Sequence, residues 1–465
     1  MADDAGVART TDFKSPRGLT EQCIALAHIP GADYKSKDAD EESKFCAIDL
    51  YDPKTAMCPK FVSTSPGTYI LSTEEANMDS KEFEATKCAN AGHEKFKTLA
   101  KFKSTMNATG TSGTFALSSL LYFHFSRLLS ADVGVPVAVY RTIDRQEHYE
   151  RVSSKTAGKT AGLSSMMIAG WSVMRSVEQN PKLYNPPEAL FTPDLKQIFG
   201  VMLKNKGKTR AGIEINGLRS AGWGDGQRQQ FQQTPAFTAL RSEKSLTDAI
   251  GDGQASAKKD PKMMAALGKA DVSRVQMIYW MKQLSEISLL DYIFSQQDRV
   301  GNINYQWSWV YSKNGKTKST TDKDNEAVVF AERASIPAPA ELADAKPMLL
   351  QQLTIDDNDA GVMAQYANFA KRTQEDEKIR HYSPETYRRL MALDADLKSN
   401  GPISNWLSTA LTLDVREIRN IKTNTAALAE IIRQNCKSGK LKLDLNPTAE
   451  IAGQASDASA SCELK

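Results

Sequence analysis

From Leu289 to Asn304 the chain reads Leu-Leu-Asp-Tyr-Ile-Phe-Ser-Gln-Gln-Asp-Arg-Val-Gly-Asn-Ile-Asn. Upstream, Met277, Met281, Leu284, Ile287, Leu290 and Phe294 recur at helical spacing, so Val272–Phe294 is predicted to be an amphipathic helix with one apolar face. The polar residues after Phe294 cannot continue that pattern. They form a loop holding Asp298, Asn302 and Asn304, and Ile303–Tyr311 then reads as a strand. The order of elements along the whole chain, strands, a helix, a strand, an insertion, a helix, this loop, two strands, an acidic turn and then helices, points to an α+β fold.

A chain of 465 residues exceeds the usual single domain and can bury a large core. Its net charge of +3 gives no basic surface for nucleic acid or membranes, so neither is expected as a partner. The longest apolar stretches, Leu117–Leu129 and Ser164–Val173, are too short to span a bilayer, and no transmembrane segment is expected. The start, Met1-Ala2-Asp3-Asp4, lacks the basic and then apolar opening of a signal peptide, although a Met set before a processed mature chain reads the same way.

Cysteine usage points to an oxidising compartment. The six cysteines are Cys23, Cys46, Cys58, Cys88, Cys436 and Cys462. None forms a C-x-x-C pair and the five histidines do not cluster with them, so a zinc site is not expected. Six scattered buried thiols are one reading. Disulfides are the favoured one, because Cys46, Cys58 and Cys88 lie in polar, loop-like sequence, and they imply a periplasmic or secreted protein. Connectivity is not legible.

Residues 1–60 are polar and loop-rich, with a charged run at Lys35–Lys44, and read as an N-terminal extension. Residues 61–145 read as a small lobe. There Phe61–Leu71 is two apolar runs about a Ser-Pro-Gly turn, Thr98–Lys103 alternates like a strand, Leu117 to Leu128 keep helical spacing, and Val135–Tyr140 is a further strand. Residues 146–270 read as a hinge and insertion. They hold an apolar helix over Met166–Met174, a Pro-rich loop at Asn185–Pro193, a helix over Asp194–Leu203 and a Gly/Gln-rich loop at 217–233. Residues 271–446 form a helical large lobe. It contains the Asp298 loop, a lysine-rich hairpin loop, a run through Ala327–Phe330, strand Met348–Ile355, the acidic turn Asp356-Asp357-Asn358-Asp359, and helices with an N-cap at Ser383. Residues 447–465 are a flexible tail, Ala/Ser-rich to 461, which Cys462 could tie down.

Phosphoryl transfer needs a cation on the nucleotide phosphates, metal ligands, and a residue that orients the nucleophile. Asp298 would accept the proton of an acceptor hydroxyl. Asn302 and Asn304 would offer amide oxygens to a divalent metal, Asp356 or Asp357 a carboxylate, and Lys103, or Lys101 on the same strand face, would contact phosphates. The competing reading of the loop is an Asp-Arg surface turn whose Asn side chains cap backbone groups. Ser65-Pro66-Gly67-Thr68 is either the turn covering a nucleotide or an ordinary hairpin. Gly222-Trp223-Gly224-Asp225-Gly226 reads as a loop, and Asn107-Ala108-Thr109 as a glycosylation sequon.

Leu290-Asp291-Tyr292-Ile293 followed by Asp298-Arg299 resembles the catalytic segment of the atypical kinase group that holds the Golgi casein kinases and xylosylkinases, the type II phosphatidylinositol 4-kinases and the HipA-like kinases. Ile355-Asp356-Asp357-Asn358-Asp359 is similar to that group's metal-binding Ile-Asp-Asn turn. Phe102-Lys103, then Phe123-His124-Phe125-Ser126-Arg127, then Val135-Pro136, resemble its small lobe. The resemblance implies a two-lobed protein-kinase-like fold, which here would carry a long middle insertion and, from the composition and cysteine usage above, an N-terminal disulfide-containing extension. It implies Asp298 as the catalytic Asp, Lys103 as the phosphate-contacting Lys, and Asp356 or Asp357 as metal ligand. The cofactor would be ATP with Mg²⁺ or Mn²⁺, and the partner a hydroxyl-bearing protein, sugar or lipid outside the cytosol. Two positions depart from the pattern. Ser119 stands where the family carries a Glu, with no acid between Thr98 and Ala131, and Asn302 follows Asp298 by four residues rather than five. The alternative those departures support is a catalytically inactive, kinase-like binding protein.

Overall fold

Seven short strands pair into one antiparallel sheet in the order β1-β2-β6-β7-β5-β4-β3, with the polar, exposed β1 at one edge. They are β1 (Arg9–Lys14), β2 (Thr20–Ala25), β3 (Thr55–Pro59), β4 (Thr68–Ser72), β5 (Thr98–Ser104), β6 (Ala138–Asp144) and β7 (Gln197–Leu203). The computed structural model describes residues 7–62, 64–89, 91–204, 211–217, 222–259, 261–266, 272–325, 328, 330–411, 413–454 and 460–463. It divides into two units, Met1–His124 with Pro136–Lys206, and Phe125–Val135 with Gly207–Lys465.

The first unit holds the seven-stranded sheet. The polar start of the chain, expected as a loop-rich extension, supplies β1 and β2 at one edge and β3 at the other. Two disulfides fasten these strands, Cys23–Cys46 to helix Ser36–Cys46 and Cys58–Cys88 to the segment after helix Ser80–Thr86. Phe61 and Val62, the first of the two apolar runs, fall in the β3–β4 connection, and the second run supplies β4. The strand expected at Val135–Tyr140 starts at Ala138 and runs to Asp144.

The largest correction concerns residues 194–203, expected as a helix. Gln197–Leu203 is instead β7, paired with β5 on one side and β6 on the other. Every residue from Ile198 onward is buried, and a short apolar run without a polar face suits a central strand better than a surface helix. Gly200 permits the pairing, since a Cβ there would meet the Lys103 carbonyl at 2.2 Å.

The second unit is built on helix Arg274–Ile293 and a three-stranded antiparallel sheet in the order β10-β8-β9. Its strands are β8 (Ile303–Lys313), β9 (Lys316–Thr321) and β10 (Met348–Ile355). The lysine-rich segment expected as a loop is itself β9, and the turn shrinks to Asn314 and Gly315, both with positive φ. The helix is not amphipathic, because every residue from Gln276 to Ile293 is buried. Ser273 caps it through Oγ to Gln276 N at 3.2 Å. Its polar residues find internal partners: Lys282 pairs with Asp132 at 2.8 Å and with Glu286, and Gln283 Nε2 donates to Asp132 O at 3.1 Å. The segment 129–135 is also tied to β10, with Gly134 N donating to Leu353 O at 2.7 Å and Ile355 N to Gly134 O at 3.0 Å.

Ser383 caps helix Pro384–Ser399 as expected. The tail begins with helix Pro447–Ile451, and Cys462 is bonded to Cys436. Residues 455–459, 218–221, 327 and 329 lie outside the described residues. No helix of the described residues is long and apolar enough to cross a membrane.

Candidate active site

The register of β8 and β10 brings two acidic segments to one end of a strand pair. Ile303 pairs with Ile355 and Asn304 with Thr354, so the loop leading into β8 and the turn leaving β10 are neighbours. Asp356 N donates to Asn302 O at 3.0 Å, and Gln297 N to Ala360 O at 3.0 Å, which closes the loop onto the turn. Asp298, Asn302, Asn304, Asp356 and Asp357 therefore gather within the second unit.

Asp298 N donates to Gln296 Oε1 at 2.9 Å, and Asn302 Nδ2 to Asp298 O at 2.8 Å. These bonds fix the loop backbone and leave the Asp298 carboxylate half-buried. Burial pushes its pKa up to about 6, the Asp357 and Asp359 carboxylates add to the rise, and Arg299 and Asn302 oppose it. Asp357 sits in the left-handed region, with φ at 49°, which an Asp tolerates better than most residues.

The donor set for a cation is mixed. Asn304 is buried, and its Nδ2 donates to Asp356 Oδ2 at 2.8 Å while its Oδ1 has no hydrogen-bond partner. A buried amide oxygen without a donor beside a carboxylate is a cost unless a ligand meets it. Among the described residues no group of three or more His, Cys, Asp or Glu side chains is arranged to hold a metal. Magnesium is commonly held by one or two carboxylates, substrate phosphates and water, so the amide–carboxylate pair Asn304–Asp356 fits such an ion.

Arg299, which the competing reading of the loop places in an Asp-Arg surface turn, is the buried post of the site. Its Nε and Nη2 grip Asp291, Nη1 donates to Asp356 O at 2.8 Å, and Nη2 to Asn358 Oδ1 at 2.9 Å. Arg228 Nη2 donates to the other side of Asp291 at 3.0 Å, and Arg228 Nε lies 3.0 Å from Glu375. Asn216 Oδ1 accepts from Gly301 N at 2.9 Å. Reading the residues singly missed this layer, although one signal was present: an Asp inside the apolar run Leu289–Phe294 requires a buried cation. Beside the loop, Gly224, Gln227, Gln296, Gln297, Val300 and Phe369 line a shallow crevice.

Lys103 lies in the first unit, buried on β5, with Lys101 on the same strand face. Helix Leu117–Leu128 follows in the chain and carries no acidic residue. No protein-family model matches the chain, and no curated protein matches its sequence.

Proposed function

We propose that this chain is an ATP- and metal-dependent phosphotransferase with an atypical kinase-like fold, acting on a hydroxyl of a protein, sugar or lipid outside the cytosol. The observation that carries the reading is the Asn304 Oδ1 left without a donor beside Asp356, at the strand ends where the Asp298 loop meets the acidic turn. The first unit supports it independently: β3, β4 and β5 form an antiparallel meander with Lys103 on its third strand, the position from which a kinase lysine reaches phosphates. The three disulfides support a secreted or periplasmic setting.

In this reading Asp298 orients the acceptor hydroxyl and accepts its proton, and the raised pKa makes the carboxylate a better base than a solvated one. Asn304 and Asp356 would hold the metal, which would supply positive charge to offset that of the phosphates. Arg299 does no chemistry; it positions the Asp298 loop against the acidic turn. The second reading, an inactive kinase-like binding protein, is favoured by one observation, that helix Leu117–Leu128 carries no acidic residue where the resemblance calls for a Glu.

Thermal stabilisation by ATP with Mn²⁺, followed by phosphate-transfer assays, tests the proposal. Wild type should be stabilised and should turn over, and Asp298→Ala should bind without turnover. Asp356→Ala should lose the metal-dependent part of the shift. A shift without turnover in wild type would establish the binding protein, and no shift under any condition would sink both readings.

A further inference from the structure

The face of the sheet that carries Lys103 holds a second buried lysine that no role described so far uses. Pro59 pairs with Thr68 and Thr68 with Phe102, and Lys60 N donates to Gly67 O at 2.8 Å. One step along each strand, Lys60, Gly67 and Lys103 therefore form a row across β3, β4 and β5, pointing to one face of the sheet. Lys60 and Lys103 are each only 3 % exposed. Gly67 keeps the space between them clear of a side chain, and the Lys60 stem lies over it: a Cβ at Gly67 would touch Lys60 Cδ at 3.6 Å and Phe102 O at 3.4 Å.

The segment carrying Lys60 is also held in place. Trp171 Nε1 donates to Lys60 O at 3.1 Å, and Pro66 packs so closely on Gly170 that a Cβ there would meet it at 2.5 Å. At the base of the hairpin, Thr68 Oγ1 shares a hydrogen bond of 2.8 Å with His148 Nε2, and His148 Nδ1 is bonded to the buried Glu178. Trp171, Gly170 and Glu178 all lie on helix Ser165–Gln179, so one helix fixes the hairpin at three points.

We infer that Lys60 is a second phosphate-contacting cation, which with Lys103 forms a two-lysine subsite for a di- or triphosphate chain. The inference rests on the nucleotide reading above and assigns that nucleotide a second anchor. Two cations two strand spacings apart, about 10 Å at the backbone, match an extended polyanion better than a single carboxylate. Flexible stems let both ammonium groups converge on it as point charges.

The test uses the full chain, sodium tripolyphosphate without metal, and ATP with Mn²⁺, each followed by calorimetry and thermal shift. Lys60→Met should weaken both ligands by at least about tenfold, the scale of one lost charge-assisted contact, while Lys60→Arg retains binding. Gly67→Val, which fills the space under the Lys60 stem, should weaken both as well. An unligated melting temperature for Lys60→Met at or above that of wild type shows that the fold is intact. Wild-type affinity in Lys60→Met for both ligands overturns the subsite and leaves the kinase reading standing. Tripolyphosphate binding that depends on Lys60, without nucleotide binding, keeps the subsite and overturns the kinase reading. Binding of neither ligand by wild type overturns both.

Discussion

Arg299 holds Asp291 with two nitrogens, Nε and Nη2, each 3.1 Å from the carboxylate, and both residues are almost fully buried. Such a pair is neutral to stability while intact and expensive when broken, because the surviving charge is stranded in the core. Arg299→Ala takes one of the two guanidinium partners described above from Asp291 and cuts the link to Asp356 O and Asn358. The expected loss is about 3–5 kcal/mol in urea unfolding, and a loss below about 1 kcal/mol would show that the pair is not a post of the fold.

Asp298 ties stability to pH. Its folded pKa of about 6 lies above the ordinary carboxylate value, so between the two the folded protein binds more protons than the unfolded chain. The contribution is fully present below about pH 4 and is lost as pH rises through about 6. Asp298→Asn removes this dependence. It should raise stability at pH 7 by about 1–2 kcal/mol, discounted for partial solvent contact, and change little at pH 4; under the proposed phosphotransferase function it should also abolish turnover. Equal shifts at both pH values would show that burial does not perturb the group.

Little of this layer was open to a residue-by-residue reading. The boundaries of β10, the N-cap at Ser383 and the pairing of the cysteines into disulfides were legible because each rests on local pattern or composition. β7 was misread because the six-residue apolar run after Gln197 has no periodicity to separate a buried strand from a helix, and only its two neighbours in the sheet decide it. Asp298, Asn302, Asn304, Asp356 and Asp357 were visible as residue types, whereas Arg299 and Arg228 were not. Their partners lie eight and 63 residues away, and nothing local marks a guanidinium as buried.

The Cys58–Cys88 bond closes a 30-residue separation and sits in a fully buried cluster with Ala56, Leu71 and Phe83. Replacing both cysteines with Ser should cost about 2–4 kcal/mol, partly from the released loop and partly from two hydroxyls placed in an apolar setting. Thiol titration of denatured, unreduced protein should find no free thiol. Detection of six would remove the basis for an oxidising compartment.

Gly134 offers a test of the β10 end independent of any charge. A Cβ at this position would meet Thr354 Cγ2 at 2.6 Å and Leu353 O at 3.4 Å, while both backbone groups of Gly134 are bonded to β10. Gly134→Ala should destabilise by about 1–3 kcal/mol, and the double variant Gly134→Ala with Thr354→Ser should recover part of it by removing that methyl group. Full stability in the single variant would show that the segment yields without cost.

Helix Arg274–Ile293 has no side that faces water from Gln276 to its end. Its amide protons should therefore exchange with solvent only when the whole second unit opens, never by local fraying. Asp291 belongs to that slowest-exchanging stretch, and Arg299 fastens the Asp298 loop to it. A site of this kind keeps its shape in partly opened forms of the protein for as long as the helix itself survives, so the site and the native fold of the second unit should be lost together on heating.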